Sequence, residues 1–202
     1  MAVIRILGVD PGTQVVGFGC LELTTEPVAR AATVPLALRA SNVVRSGGGS
    51  DRVRAIDCGV FDLGGRRHTV PERLAALAEH FTELLQRLAP HELALEEAFH
   101  GKSAQAALRI GEARGVILAA AAGGELAIHQ YPPARIKRCV SGRGNADKAA
   151  VADMVLRLLG AAGATALPAD ASDALAAAWT RVEERRSPLL RAAALRSDDA
   201  VG

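Results

Sequence analysis

Apolar residues recur along this chain in two rhythms, short near-continuous runs in the first third and helical spacing afterwards. The run Val3-Ile4-Arg5-Ile6-Leu7-Gly8-Val9 is apolar almost throughout and reads as the first strand. It closes on Asp10 and the turn formers Pro11-Gly12. Residues 17–23 and 53–63 read as a second and a third strand. Between them, residues 24–54 lose periodicity and carry Pro27, Pro35, scattered arginines and Ser46-Gly47-Gly48-Gly49-Ser50. That composition predicts a mobile insertion joining two strands.

Helical rhythm begins at Pro71-Glu72, where Leu74, Leu77, Ala78, Phe81, Leu84, Leu85 and Leu88 mark one face before Pro90 ends the element. Residues 93–96 form the next predicted strand, closed by Glu96. A second helix is predicted from about residue 103 to 122, stopped by Gly123-Gly124, and a strand over 126–131, ended by Pro132-Pro133. Residues 134–140 suit a short helix or turn, and 141–145 a loop. The helix over 148–159 carries Val151, Met154, Val155, Leu158 and Leu159 on one face, and the last helix, over 171–184, turns Leu175, Ala178, Trp179 and Val182 inward. Strands first, then strands alternating with helices, predict an α/β fold. Its central sheet is mixed, antiparallel across the first three strands and parallel thereafter, and is flanked by helices.

One domain over residues 1–186 accounts for this pattern, with 187–202 an arginine-containing tail expected to be disordered. At 202 residues the chain can bury roughly 70% of its unfolded surface. Aromatic residues make up only 3%, so alanine supplies much of the packing surface and helices can approach closely. The net charge of +2 selects no partner, but its distribution does more. Arg135, Lys137, Arg138, Arg143 and Lys148 form one basic cluster and Arg181, Arg185, Arg186, Arg191 and Arg196 another. Local fields of this kind can hold phosphates. Cys20, Cys58 and Cys139 are odd in number and lack CxxC spacing, which argues against a disulfide framework or structural zinc. The first ten residues read as a strand rather than a signal peptide, and the apolar run 116–122 is far short of a membrane span. A reducing, cytoplasmic location is expected.

Acidic residues supply the candidate chemistry. Asp10 and Glu96 end predicted strands, while Asp170 and Asp173 lie three apart at the start of the last helix and share one of its faces. Such a set can hold a pair of metal ions for phosphodiester hydrolysis. Singly, each has a plainer explanation: a turn opener, a strand end, a helix cap and a first-turn acid. Glu97 is adjacent to Glu96 and therefore points to the opposite face of the strand. Hard oxygen donors without histidine or cysteine suit Mg²⁺. His68, His80, His91, His100 and His129 show no metal-ligand spacing and read as surface or structural residues.

The order and spacing of four strings resemble the RuvC-type Holliday-junction resolvases, a family of ribonuclease H-like fold. They are Ile6-Leu7-Gly8-Val9-Asp10-Pro11-Gly12-Thr13 with Gly17-Phe18-Gly19; Leu95-Glu96-Glu97-Ala98-Phe99; Ala107-Leu108-Arg109-Ile110-Gly111-Glu112-Ala113-Arg114-Gly115; and Ala169-Asp170-Ala171-Ser172-Asp173-Ala174-Leu175-Ala176. The layout from Pro132 to Lys148 also matches, and the likeness spans nearly everything except the 24–54 insertion and the tail. The resemblance implies an endonuclease that cuts four-way DNA junctions by paired symmetric nicks during recombination and repair. It implies Mg²⁺, with Mn²⁺ as a substitute, held by Asp10, Glu96, Asp170 and Asp173, with Asp10 bridging. Lys148 would offset charge developing on the scissile phosphate. Phe99 would touch unstacked bases at the crossover, and Lys102, Arg109, Lys137 and Arg143 would contact DNA. The family is dimeric and works with a branch-migration helicase complex.

Gly111, Gly115 and Ala119 recur every fourth residue, so this groove can admit either another backbone or the chain's own sheet. Other function classes share parts of the pattern. Actin-like kinases also follow a first strand with Asp-x-Gly-Thr, but 202 residues leave no room for their two lobes. A related nuclease acting on ribosomal RNA precursors, or on other structured RNA, and a non-catalytic junction-binding module are the remaining alternatives.

Overall fold

A computed structural model of the chain describes residues 2–25, 52–97, 104–160 and 167–187. The apolar runs pair into one mixed sheet of order β3-β2-β1-β4-β5. Its strands are β1 (Ala2–Asp10), β2 (Val15–Thr25), β3 (Arg52–Asp62), β4 (Glu92–Glu96) and β5 (Ala127–Tyr131). β1 pairs antiparallel with β2, and β2 with β3, while β1 runs parallel to β4 and β4 to β5. The antiparallel start and parallel continuation expected from the sequence are both present. The expected insertion needs trimming at both ends: Thr24 and Thr25 belong to β2, paired with Arg52 and Ala2, and Arg52–Arg54 to β3, because β-ladder bonds continue past the last apolar residue. The remainder of that stretch, like the 187–202 tail beyond Ser187, lies outside the described residues.

Helices cover both faces of the sheet. On one face lie α1 (Val70–Leu88) and α2 (Ala104–Gly123), packed over Leu7, Val9, Leu93 and Leu95. On the other lie α3 (Pro133–Ser141), α4 (Lys148–Leu158) and α5 (Ala169–Arg186), packed over Ile6, Leu21, Leu23 and Ala94. α1 starts where Thr69 caps the backbone N–H of Glu72 and the Glu72 carboxylate accepts from Thr69, a reciprocal pair that satisfies helix-end donors.

α5 is buried more completely than its amphipathic spacing predicted. Besides Leu175, Ala178, Trp179 and Val182, it buries Ala171, Ser172, Ala174, Ala176, Ala177, Thr180 and Glu184. Small residues on both partners explain this. A Cβ on Gly8 of β1 would fall 1.9 Å from the Ala174 carbonyl oxygen, and one on Gly17 of β2 would fall 1.9 Å from that of Asp170. Only glycine at these two positions lets the helix lie directly on the strands.

At its other end α5 is fastened by a polar network. The Tyr131 hydroxyl donates to Glu184 at 2.6 Å, Arg135 donates to the same carboxylate at 2.6 Å, and Arg181 joins Glu184 at 2.8 Å to Glu92 at 2.7 Å. Glu92 and Glu184 are almost fully buried, and their charges are matched by these arginines.

Candidate active site

The parallel strands β1, β4 and β5 all run toward the same edge of the sheet, the usual place for ligands in open α/β sheets. Val9 pairs with Leu95, so Asp10 and Glu96 are the next residues of neighbouring strands. Leu7, Val9 and Leu95 pack toward α1 and α2. By strand alternation Asp10 and Glu96 therefore face α5, and Glu97 faces the other way. α5 meets this edge with its first turn, where Pro168 occupies the N-cap and Asp170 stands just inside. Carboxylate oxygens of Asp10, Asp170 and Asp173 lie within 4.8 Å of one another. Glu96 lines the same cleft beside Asp10 and Asp173.

Cations balance part of this charge. Asp147 caps α4 by accepting from the Ala150 N–H at 2.7 Å, which sets Lys148 at the helix start. The Lys148 ammonium reaches across to Asp173 at 2.5 Å, and Lys137 of α3 lines the same cleft. The hydrogen bond to Asp173 holds the Lys148 pKa above its ordinary value. The carboxylates remain under strain as charges. Burial, then repulsion from Asp173, raises Asp10 from an ordinary 3.8 to about 6, with Lys148 opposing and Asp170 adding to the rise. Burial, then repulsion from Asp10 and Asp173, raises Glu96 from 4.5 to about 7, with Lys148 and Lys137 opposing. Clustered, partly dehydrated carboxylates of this kind are what a divalent cation would relieve.

Asp10, Glu96, Asp170, Asp173, Lys137 and Lys148 are thus brought together. Arg143 is exposed in the loop before α4 and does not line the cleft. Arg109 pairs with Glu112 at 3.0 Å in a separate small recess that also includes Gly12, Thr13 and Arg73. Phe99 and Lys102 lie outside the described residues. Beyond the helix's own backbone, no described atom lies within 4 Å of a Cβ placed on Gly111 or Gly115, so this groove does not pack on the sheet. Among the described residues no helix is long and apolar enough to cross a membrane.

Sequence reasoning missed two arginines that grip backbone carbonyls at this edge. Arg73 of α1 donates to the Thr13 carbonyl at 2.9 Å, holding the turn that follows Asp10. Arg114 of α2 donates to the Glu96 carbonyl and to the Gln130 side-chain oxygen. The available signal for Arg114 was its place as the last charged residue of α2, just before the apolar run from Val116.

This strand order, with acids converging from two adjacent strand ends and one helix laid across them, defines a ribonuclease H-like protein with a candidate metal centre. The family model described as crossover junction endodeoxyribonuclease RuvC matches residues 37–181. The RuvC endodeoxyribonuclease of Methylococcus capsulatus is 36% identical over 183 residues, 91% of this chain and 93% of its own. A solved Thermus thermophilus RuvC superposes with a TM-score of 0.70 at 27% identity, covering 91% of this chain and 96% of that one. The fold also matches T. thermophilus RuvC in complex with Holliday junction substrate, at a TM-score of 0.69 and 24% identity, with coverage of 91% and 96%. The chain belongs to the RuvC family of crossover junction endodeoxyribonucleases.

Proposed function

We infer that the chain hydrolyses phosphodiester bonds in four-way DNA junctions, resolving them by paired nicks during recombination and repair. The observation that carries the site assignment is the convergence of Asp10, Asp170 and Asp173 within 4.8 Å, with Glu96 in the same cleft. These residues would hold Mg²⁺ ions, and the donor set fits: carboxylate oxygens only, short of a full protein cage. When bound, such ions make water nucleophilic near neutral pH and stabilise the leaving oxygen.

The chain's own groups do the rest. Asp10 and Glu96, fixed on rigid strand ends, and Asp170 and Asp173, fixed on a buried helix, orient the donor oxygens. Lys148, held at Asp173, places a cation where charge builds on the scissile phosphate. Lys137, which lines the cleft, is assigned to the DNA backbone, as is exposed Arg143. Phe99, Lys102 and Arg109 complete the proposed DNA contacts. Paired nicks on strands related by symmetry call for a two-fold homodimer. The open flank of α2 at Gly111 and Gly115 supports a close helix approach there. A branch-migration helicase is the proposed partner, and the cytoplasm the proposed location.

End-labelled mobile and immobile junctions, duplex DNA and an RNA–DNA hybrid, incubated with Mg²⁺ and either wild type or Asp10→Asn, test this reading. Paired symmetric nicks in the mobile junction, absent from the variant, are expected. Cutting of RNA, or binding without cutting, would transfer the function to the alternative classes. Equal loss of junction binding and helical signal in Asp10→Asn would make Asp10 structural.

A further inference from the structure

We propose that Arg114 is a positioning residue for Glu96, fixing the strand-end backbone from which that carboxylate enters the metal centre. The proposal rests on the reading of Glu96 as a metal ligand. β4 is only five residues long, and Glu96 is its last. Asp10 is paired within the ladder to Gly17 of β2, so its backbone is supported on that side. Among the described strands Glu96 is paired only with β5: it lies opposite Tyr131, and the next N–H, of Glu97, donates to the Tyr131 carbonyl at 2.9 Å. The direction of the Glu96 side chain therefore depends on what holds this strand end.

Arg114 supplies the missing tie. Its guanidinium donates through one nitrogen to the Glu96 carbonyl and through the other to the Gln130 side chain. Gln130 lies opposite Leu95 on β5, so one planar group staples the ends of two adjacent strands. A rigid fork of donors suits two acceptors at fixed separation, which a lysine ammonium on a flexible stem does not match.

The direction of approach matters as much as the bonds. α2 covers the face opposite α5, so Arg114 reaches the strand from behind while the Glu96 carboxylate faces α5. The guanidinium thus orders the backbone without occupying the carboxylate, which stays free for a cation. Lys148 behaves differently: it bonds a carboxylate of the cluster directly. Partial burial strips water from the Arg114 guanidinium, which makes its carbonyl partner harder to replace with solvent.

The test uses full-length Arg114→Met, Arg114→Lys and Gln130→Leu beside wild type and Glu96→Gln. Mn²⁺ binding is read from the electron paramagnetic resonance of the free ion. Single-turnover cleavage is measured at saturating junction, junction affinity in EDTA, and stability by thermal melting. Arg114→Met is expected to weaken Mn²⁺ binding and slow cleavage on the order of 10–100-fold, the usual effect of losing a residue that orients a ligand. Junction affinity should hold, Arg114→Lys should not restore either quantity, and Gln130→Leu should show a smaller loss in the same direction. Folded Arg114→Met with wild-type Mn²⁺ binding overturns the proposal, as does a Glu96→Gln protein that binds Mn²⁺ normally. If Arg114→Met does not fold, Gln130→Leu decides, and wild-type Mn²⁺ affinity there overturns it too. A wild type that binds Mn²⁺ yet cuts no junction sinks the functional reading alone, and the Mn²⁺ comparison still judges Arg114.

Discussion

Asp10→Asn should make the metal-free protein more stable at neutral pH while destroying its activity. Burial and the neighbouring Asp173 and Asp170 lift Asp10 from 3.8 in an unfolded chain to about 6 in the folded one. An acid whose pKa is raised by folding holds its proton more tightly when folded, so stability declines as pH climbs from about 4 through 6. Above that window the folded state carries a charge that Lys148 offsets only in part. At about 1.36 kcal/mol per pH unit, the displacement from 3.8 to about 6 corresponds to about 3 kcal/mol. That figure is a ceiling, because Asp10 keeps some contact with water and titrates together with Glu96. Asparagine has nearly the same shape and no charge, so a gain of about 1–3 kcal/mol is expected at pH 7.5. In a chain of this length each kcal/mol moves the melting temperature by about 2–4 °C. Urea unfolding in EDTA at pH 7.5 and near pH 4 measures the gap, which should close at the lower pH. Mg²⁺ should then stabilise wild type more than the variant. An Asn variant less stable than wild type in EDTA at pH 7.5, or a gap unchanged near pH 4, would refute the account of Asp10 as a repelled, dehydrated charge.

Further outcomes follow from the same geometry. Lys148→Met should slow the single-turnover cleavage step on the order of 10²-fold with little change in junction affinity, since the ammonium acts on developing charge; a pure affinity loss would contradict this. Its stability should barely change, because Lys148 is exposed and an exposed ion pair contributes little. With Glu96 raised to about 7 and Asp10 to about 6, cleavage at limiting Mg²⁺ should fall as pH drops below 7, because a protonated carboxyl cannot ligate. Added Mg²⁺ should move that fall to lower pH, and a rate that stays flat to about pH 5 would exclude proton competition. Gly17→Ala would set a methyl against the Asp170 carbonyl, so the start of α5 must shift. Melting should reveal a loss of about 1–3 kcal/mol, and cleavage should drop by more than melting accounts for.

Much of this architecture was legible because it is written in periodicity and punctuation. Leu77, Phe81, Leu84 and Leu88 repeat at helical spacing and are the buried face of α1. Asp10-Pro11-Gly12 announces the end of β1, and Pro90, Gly123-Gly124 and Pro132-Pro133 fall at element boundaries. α5 was harder. An alanine-rich segment leaves its burial ambiguous, and its true environment was signalled elsewhere, by Gly8, Gly17 and Gly19 on the strands beneath it. Glycines on alternate strand positions mark a backbone approaching closely. The polar network of Glu92, Tyr131, Arg181 and Glu184 was hidden apart from the i,i+3 pair of Arg181 and Glu184, since its links to Tyr131 and Glu92 span 53 and 89 positions.

That hidden network bears directly on the site. A smooth apolar face of alanines resists separation from the sheet but only weakly resists sliding along it, because dispersion between small groups changes little with register. Hydrogen-bonded charges are less forgiving: a displacement that breaks Arg181–Glu92 or Tyr131–Glu184 leaves a buried carboxylate short of partners. The fit of Gly8 and Gly17 against α5 restricts the same motion by steric contact. One helix thus carries the polar anchor in its last turns and Asp170 and Asp173 in its first, about 27 Å of α-helix end to end for 18 residues. Because the helix is stiff, register fixed at the anchor is delivered at the carboxylates. Arg73 and Arg114 act on the strand side of the same centre, Arg73 by gripping the Thr13 carbonyl in the turn after Asp10 and Arg114 by gripping the carbonyl of Glu96 itself. The acids are the part of this site that chemistry names. Their spacing is set by residues chosen for packing and hydrogen bonding, which is why a motif alone points to candidate ligands and says little about what aims them.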